Sequence, residues 1–265
     1  MTPVSDFDPV YGPVTSWRYG RSLGIDPIGP ISTCPFNCVY CQLGNIQRQT
    51  IQRQVFVSTD HIQRSLKRID PATVDVVTLS GSGEPTLALN LADIIACAKA
   101  QINRPVVILT NGTLLGDRSV RSALQSADRV AVKLDARSDQ MLQGVNRPVA
   151  GLTWDTIFAG IRDFSEGYRG ELALQTMLLS PWDAPKREQY IKLVQQLMPD
   201  EVQLNTPSRP RARIRQLAAR GNQTLELEPS HLQSLKCVST ETLKAFATEI
   251  ETYSGISTRY PCFKH

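Results

Sequence analysis

The feature that most constrains the fold is a repeated change of hydrophobic period. Short apolar runs rich in β-branched residues alternate with longer runs whose apolar positions recur at helical spacing. The strand-like runs are 22–29 (SLGIDPIG), 74–80 (VDVVTLS), 105–110, 129–135, 171–179 and 200–206. The helical runs are 59–69, 91–102, 117–127, 152–164 and 184–198, with a last one at 240–253. Ser58 or Thr59 is the expected cap of the first. Strands separated by helices pair in parallel, because an antiparallel hairpin needs only a short turn. Right-handed crossovers curl such units into a barrel or a doubly wound sheet, and periodicity alone does not choose between them. Either architecture puts its chemistry in the loops after the strands.

The chemically informative residues fall in those loops. Cys34, Cys38 and Cys41 follow the first strand, and Gly81, Gly83, Glu84 and Pro85 follow the second. Thr110 and Asn111 end the third, and Lys133 and Asp135 end the fourth. Gln175 and Asn205 sit similarly on the last two. Lys133 and Asp135 alternate with apolar neighbours. A lysine carried inward by that alternation needs a partner, which Asp135 can supply.

The cysteines stand as C-x3-C-x2-C in TCPFNCVYCQLGN. Thiolates at this density are usual ligands of iron–sulfur clusters. A [4Fe–4S] cubane has four irons and this loop brings three thiolates, so one iron is left open to an exogenous ligand, as in open catalytic zinc sites. A zinc site would favour a second C-x2-C pair, which is missing; a redox dithiol on Cys38 and Cys41 would leave Cys34 idle. The other cysteines are scattered. Cys97 is expected to be buried and inert on a helix, and Cys237 and Cys262 to be structural or incidental. The histidines show no ligand spacing.

C-x3-C-x-aromatic-C, with Tyr40 before the last cysteine, resembles the signature of the radical SAM superfamily. LSGSGEPTL resembles that family's glycine-glutamate stretch, and ILTNG its third strand end. The resemblance spans roughly residues 20–206 and implies a partial (β/α)6 barrel. It also implies a [4Fe–4S] cluster on Cys34, Cys38 and Cys41 whose open iron chelates S-adenosylmethionine (SAM). Tyr40 would then flank the adenine, and Glu84, with Gly81, Gly83 and Pro85, would meet the α-amino group. Thr110 and Asn111 would line the SAM pocket, and Lys133, Asp135, Gln175 and Asn205 would line it or the substrate site. An electron donor such as a flavodoxin or ferredoxin is implied too. More narrowly, YGPVTSWRYGRSLGID, NCVYCQLG and LNTPSRP resemble the small Fe–S oxidoreductases related to the enzyme that builds the tricyclic wyosine base of tRNA. That enzyme carries a second cluster on upstream cysteines, and this sequence has no cysteine before Cys34.

The expected organisation is an N-terminal extension at 1–21, the barrel at 22–206 and a short helical C-terminal extension at 207–265. No apolar run reaches the roughly 18 residues that span a bilayer, and the first residues lack the pattern of a secretory signal, so the expected location is the cytoplasm. A net charge of +4 permits an anionic partner without demanding one. Arg209, Arg211, Arg213 and Arg215 alternate; on an extended segment they would share one face, which suits phosphates, although a solvated basic loop is the plainer account of them. The leading expectation is radical modification of an RNA base. A peptide or protein side chain is the alternative substrate, and a non-catalytic Fe–S carrier or sensor is the third reading.

Overall fold

The six expected strands form, and they lie side by side in chain order. A computed structural model describes residues 7–207, 210–213, 217, 220 and 231–261. The strands are β2 (Gly20–Ile25), β3 (Val76–Leu79), β4 (Val106–Thr110), β5 (Arg129–Lys133), β6 (Glu171–Met177) and β7 (Glu201–Asn205), and all neighbouring pairs among them are parallel. A curled half-barrel of this kind matches the expected partial barrel. Two strands absent from the sequence reading extend the sheet. β1 (Val10–Ser16) pairs antiparallel with β2, and β8 (Thr258–Arg259) pairs parallel with β7. Segments 1–21 and 207–265, expected as extensions, thus each supply an edge of the one sheet.

The helices cover the outside. α1 (Thr59–Leu66), α2 (Leu91–Ile102), α3 (Arg118–Leu124), α4 (Asp139–Val145), α5 (Trp154–Gly167), α6 (Ala184–Leu197) and α7 (Thr240–Ser254) turn apolar faces to the sheet, Ile94, Ile95, Ala98 and Ile102 of α2 among them. Short polar residues set most helix starts. Ser58, Asp117, Ser138, Thr153, Asp183 and Ser239 each accept a first-turn backbone N–H, satisfying donors that a helix leaves open. α4 was not foreseen, because a seven-residue helix of about two turns offers too little periodicity to read.

The inner face is different in kind. Ser22, Thr78, Lys133, Gln175 and Gln203 are polar positions on β2, β3, β5, β6 and β7, with Ser22 bonded to Thr78 at 2.6 Å and Gln175 to Gln203 at 2.8 Å. Period-two alternation therefore sorts apolar side chains to the helix layer and polar ones to the lumen. The first strand stops at Ile25, short of the expected 29. Asp26 accepts the N–H groups of Ile28 and Gly29 and turns the chain. No helix among the described residues is long and apolar enough to cross a membrane.

α7 docks through an aromatic cluster. Phe246 meets Trp182 and Tyr190 with ring centroids 5.6 Å away, and Tyr190 also bonds Thr176 of β6 at 2.7 Å. Phe246→Ala should cost about 3–5 kcal/mol of stability. Urea unfolding reads the loss; a change under about 1 kcal/mol would mean that α7 does not close the core in this way.

Candidate functional site

Two loops at the strand ends are stitched together by their backbones. The Thr33 N–H donates to the Ser82 carbonyl, and the Glu84 N–H donates to the Thr33 carbonyl, both at 3.1 Å. Gly83 lies so close under Thr33 that a Cβ would overlap the Thr33 carbonyl oxygen. Gly81 adopts a φ of +123°, open to glycine alone. Beneath them sits Asp26, fully buried. One of its carboxylate oxygens accepts the N–H and hydroxyl of Ser82 at 3.0 and 2.6 Å and an Arg220 nitrogen at 3.1 Å. Asp26 escaped the sequence reading, although Asp-Pro after a strand is a turn signal.

The stitched loops present the three cysteines and Glu84 to one cavity of about 480 Å³. The Cys34 sulfur accepts bonds from the Phe36 N–H and the Asn111 amide, each at 3.4 Å. The Cys38 sulfur accepts from the Asn146 amide at 3.4 Å. Burial pushes both thiols up, Cys34 well above the usual range and Cys38 to about 12, with the Glu84 and Asp135 carboxylates adding to the respective shifts. Such thiols keep their protons until a cation replaces them, so metal binding here releases protons.

Glu84 is 2% exposed. One oxygen accepts the Thr86 N–H, the Thr86 hydroxyl and the Thr110 hydroxyl at 3.1, 2.7 and 2.6 Å; the other accepts only the Asn111 N–H at 2.7 Å. Burial raises its pKa above the ordinary carboxylate value, opposed by those hydrogen bonds. No cationic side chain pairs with it among the described residues. A buried carboxylate with a free acceptor site and no countercharge suits an incoming ammonium group.

Behind Tyr40 and Lys133, Asp135 gathers four groups. It accepts the Tyr40 hydroxyl, the Asn146 amide at 3.0 Å and the Met177 N–H at 2.8 Å, and it pairs with the Lys133 ammonium at 3.2 Å. The Lys133 nitrogen also stands 4.9 Å from the Tyr40 ring centroid. Tyr40 is held in its neutral form, its pKa driven up by burial and by the Asp135 charge.

Of the residues singled out from sequence, Cys34, Cys38, Tyr40, Cys41, Gly81, Gly83, Glu84, Thr110, Asn111, Lys133, Gln175 and Asn205 line the cavity. Pro85 lies in the buried turn behind Glu84, and Asp135 lies behind Tyr40 and Lys133, so both support the wall from outside. Asn146, which bridges Cys38 and Asp135, had no sequence signal beyond its type. The arginine run does not form one face. Arg211 is buried and bonded to Asn45, Arg213 points out, and Arg209 and Arg215 fall outside the described residues. Cys97 is half-buried on α2 and accepts from Gln101 at 3.3 Å; Cys237 is exposed and donates to the Pro207 carbonyl at 2.6 Å; Cys262 is outside the described residues.

Among the described residues no three Cys, His, Asp or Glu side chains converge on a point that could hold a single metal ion. This weighs against mononuclear zinc. A cubane takes each thiolate on a different iron and needs no such point, so three thiols spread along one cavity wall fit it.

Comparison with known proteins agrees with this geometry. A family model described as the Radical SAM superfamily matches residues 28–194. A UPF0026 protein of Synechocystis is 49% identical over 254 residues, covering 96% of each chain. A radical SAM methyltransferase from Sphaerobacter thermophilus shares the fold at a TM-score of 0.59 and 15% identity, over 91% of this chain and 65% of its own. The protein anSMEcpe, solved with AdoMet bound, aligns at a TM-score of 0.60 and 15% identity, over 90% of this chain and 63% of its own. The chain therefore spans under two thirds of these two solved proteins.

Gly83→Ala should part the two loops, costing about 3 kcal/mol of stability. Thermal unfolding and iron content after anaerobic reconstitution measure both effects. A variant with wild-type melting and full iron would show that the contact is dispensable.

Proposed function

The chain belongs to the radical SAM superfamily, and from that premise we propose that it is an enzyme cleaving SAM reductively at a [4Fe–4S] cluster held by Cys34, Cys38 and Cys41. The single observation that carries this reading is Glu84, a buried carboxylate without a cation, facing the same cavity as three cysteines that spread around no single-ion site. Bound there, the cluster and SAM would supply an electron and, from it, a 5′-deoxyadenosyl radical that abstracts hydrogen from the substrate.

The chain's own groups then have distinct tasks. Glu84 receives the α-amino group on its less occupied oxygen, and the Thr86, Thr110 and Asn111 donors keep that carboxylate aimed. Asn111 and Asn146 donate to cysteine sulfurs, which steadies the thiolates. Tyr40, anchored by Asp135, flanks the adenine. Lys133, Gln175 and Asn205 face the space left for the substrate, and the surrounding walls keep out bulk water. AdoMet bound in a protein of the same fold supports the SAM assignment.

The proposed substrate is an RNA base, on the likeness to the wyosine-base group and on the exposed Arg213. A flavodoxin or ferredoxin is the proposed electron donor, with the reaction in the cytoplasm.

Cys34→Ala, Cys38→Ala or Cys41→Ala should each abolish the SAM-binding cluster and the formation of 5′-deoxyadenosine after anaerobic reconstitution and reduction. Full iron and SAM cleavage in any of the three would contradict the assignment. Glu84→Ala should keep the cluster and bind SAM at least tenfold more weakly. Because burial raises the Glu84 pKa, its negative charge is present above that pKa and lost as pH falls through it. SAM affinity should therefore decline on acidification at a higher pH than an ordinary carboxylate would set, and Glu84→Ala should flatten that profile. Unchanged affinity would remove Glu84 from the site.

A further inference from the structure

Among the described residues three cations line the cavity, and two of them are spoken for. Lys133 pairs with Asp135 at 3.2 Å and Arg220 with Asp26 at 3.1 Å. The third is Arg18, at the turn between β1 and β2. Among the described residues its guanidinium has neither a carboxylate partner nor a hydrogen bond, and its Nε is buried without any acceptor. The carboxylate in its neighbourhood, Glu201, is taken by Arg259 at 3.3 Å and by the Gln203 amide at 2.5 Å. The guanidinium stacks on Trp17, its carbon 4.3 Å from the ring centroid. Burial lowers the Arg18 pKa to about 10, which leaves it charged at neutral pH.

A half-buried charge whose Nε has no acceptor carries a desolvation cost, and removing it from a cavity wall would be neutral or stabilising if nothing bound there. The guanidinium is planar, lies over the indole and is free at its terminal nitrogens, a geometry suited to a bidentate oxyanion. Besides Tyr40, which is assigned to SAM, the same cavity is walled by Tyr11 and Tyr19. Aromatic faces of this kind take a flat heterocycle. A nucleotide offers both a ring for those faces and a phosphate for the fork, whereas a carboxylate-bearing aliphatic substrate offers one of the two.

We propose that Arg18 is a substrate-binding residue that takes the phosphate of a nucleotide, free or within RNA, at the far end of the cavity from the cysteines. This deepens the SAM-cleavage reading and rests on it for the identity of the cavity. Trp17 is the positioning residue over which the guanidinium lies.

The test is calorimetric titration of the anaerobically reconstituted protein, with and without SAM. The ligands are guanosine 5′-monophosphate, phosphate-free guanosine, a single-stranded RNA hexamer and acetate. The monophosphate or the hexamer should bind at least tenfold more tightly than guanosine. Arg18→Gln should erase that margin while keeping cluster iron and SAM binding, and Arg18→Lys should recover part of it. Binding of the monophosphate identifies a free nucleotide as the source; binding of the hexamer alone identifies a nucleotide within RNA. Equal binding of guanosine, competition by acetate at the same concentration, or a margin that survives in Arg18→Gln would each overturn the proposal. Phosphate binding through Arg18 in a protein that forms no 5′-deoxyadenosine would sink the SAM-cleavage reading and leave the phosphate site standing. SAM cleavage with no phosphate preference would do the reverse.

Discussion

The site depends on two backbone hydrogen bonds across Thr33. They join the loop after β2 to the loop after β3, and the missing side chain of Gly83 lets them form. Everything placed by those loops inherits its position from this contact, including the spacing between the cysteines and Glu84. Asp26 reinforces it from below by bonding Ser82 and Arg220 at once. A fold whose chemistry lies on loops would otherwise hold it loosely; here a strip of sheet-like pairing extends the scaffold beyond the strand ends.

Above that contact the cavity is organised by charge. Glu84 and Asp135 are both buried carboxylates, but their surroundings separate their roles. Asp135 is neutralised by Lys133 and further saturated by Tyr40, Asn146 and a backbone N–H, which makes it a fixed post. Glu84 has donors without a countercharge. Groups of the same type thus differ in whether a countercharge packs beside them.

Much of this was legible in sequence because it follows from periodicity and spacing. The β-branched runs located six strands, since each must be buried on both faces in a parallel sheet. The loops that follow them collected the cysteines and Glu84. What was not legible depends on contacts distant in sequence. β1 and β8 are read as edge strands only once the sheet exists, and a two-residue strand has no period at all. Asp26, Asn146 and Arg18 are ordinary polar residues until the fold brings Ser82, Cys38 or the cavity wall to them. In the arginine run alternation offered a shared face only if the segment were extended; Arg211 finds Asn45 across the fold and turns inward.

The sheet's two margins carry a consequence for behaviour in a crowded solution. An open sheet ends in rows of unpaired backbone groups, and each row can recruit a foreign strand. Here one margin is β8, two residues long, too short to template anything. The other is β1, which contains Pro13 and breaks register between Tyr11 and Val14. The turn after β1 is also tied across to β8, because Arg259 donates to the Trp17 carbonyl at 3.1 Å. The half-barrel therefore protects itself against edge-to-edge aggregation without completing its circle of strands.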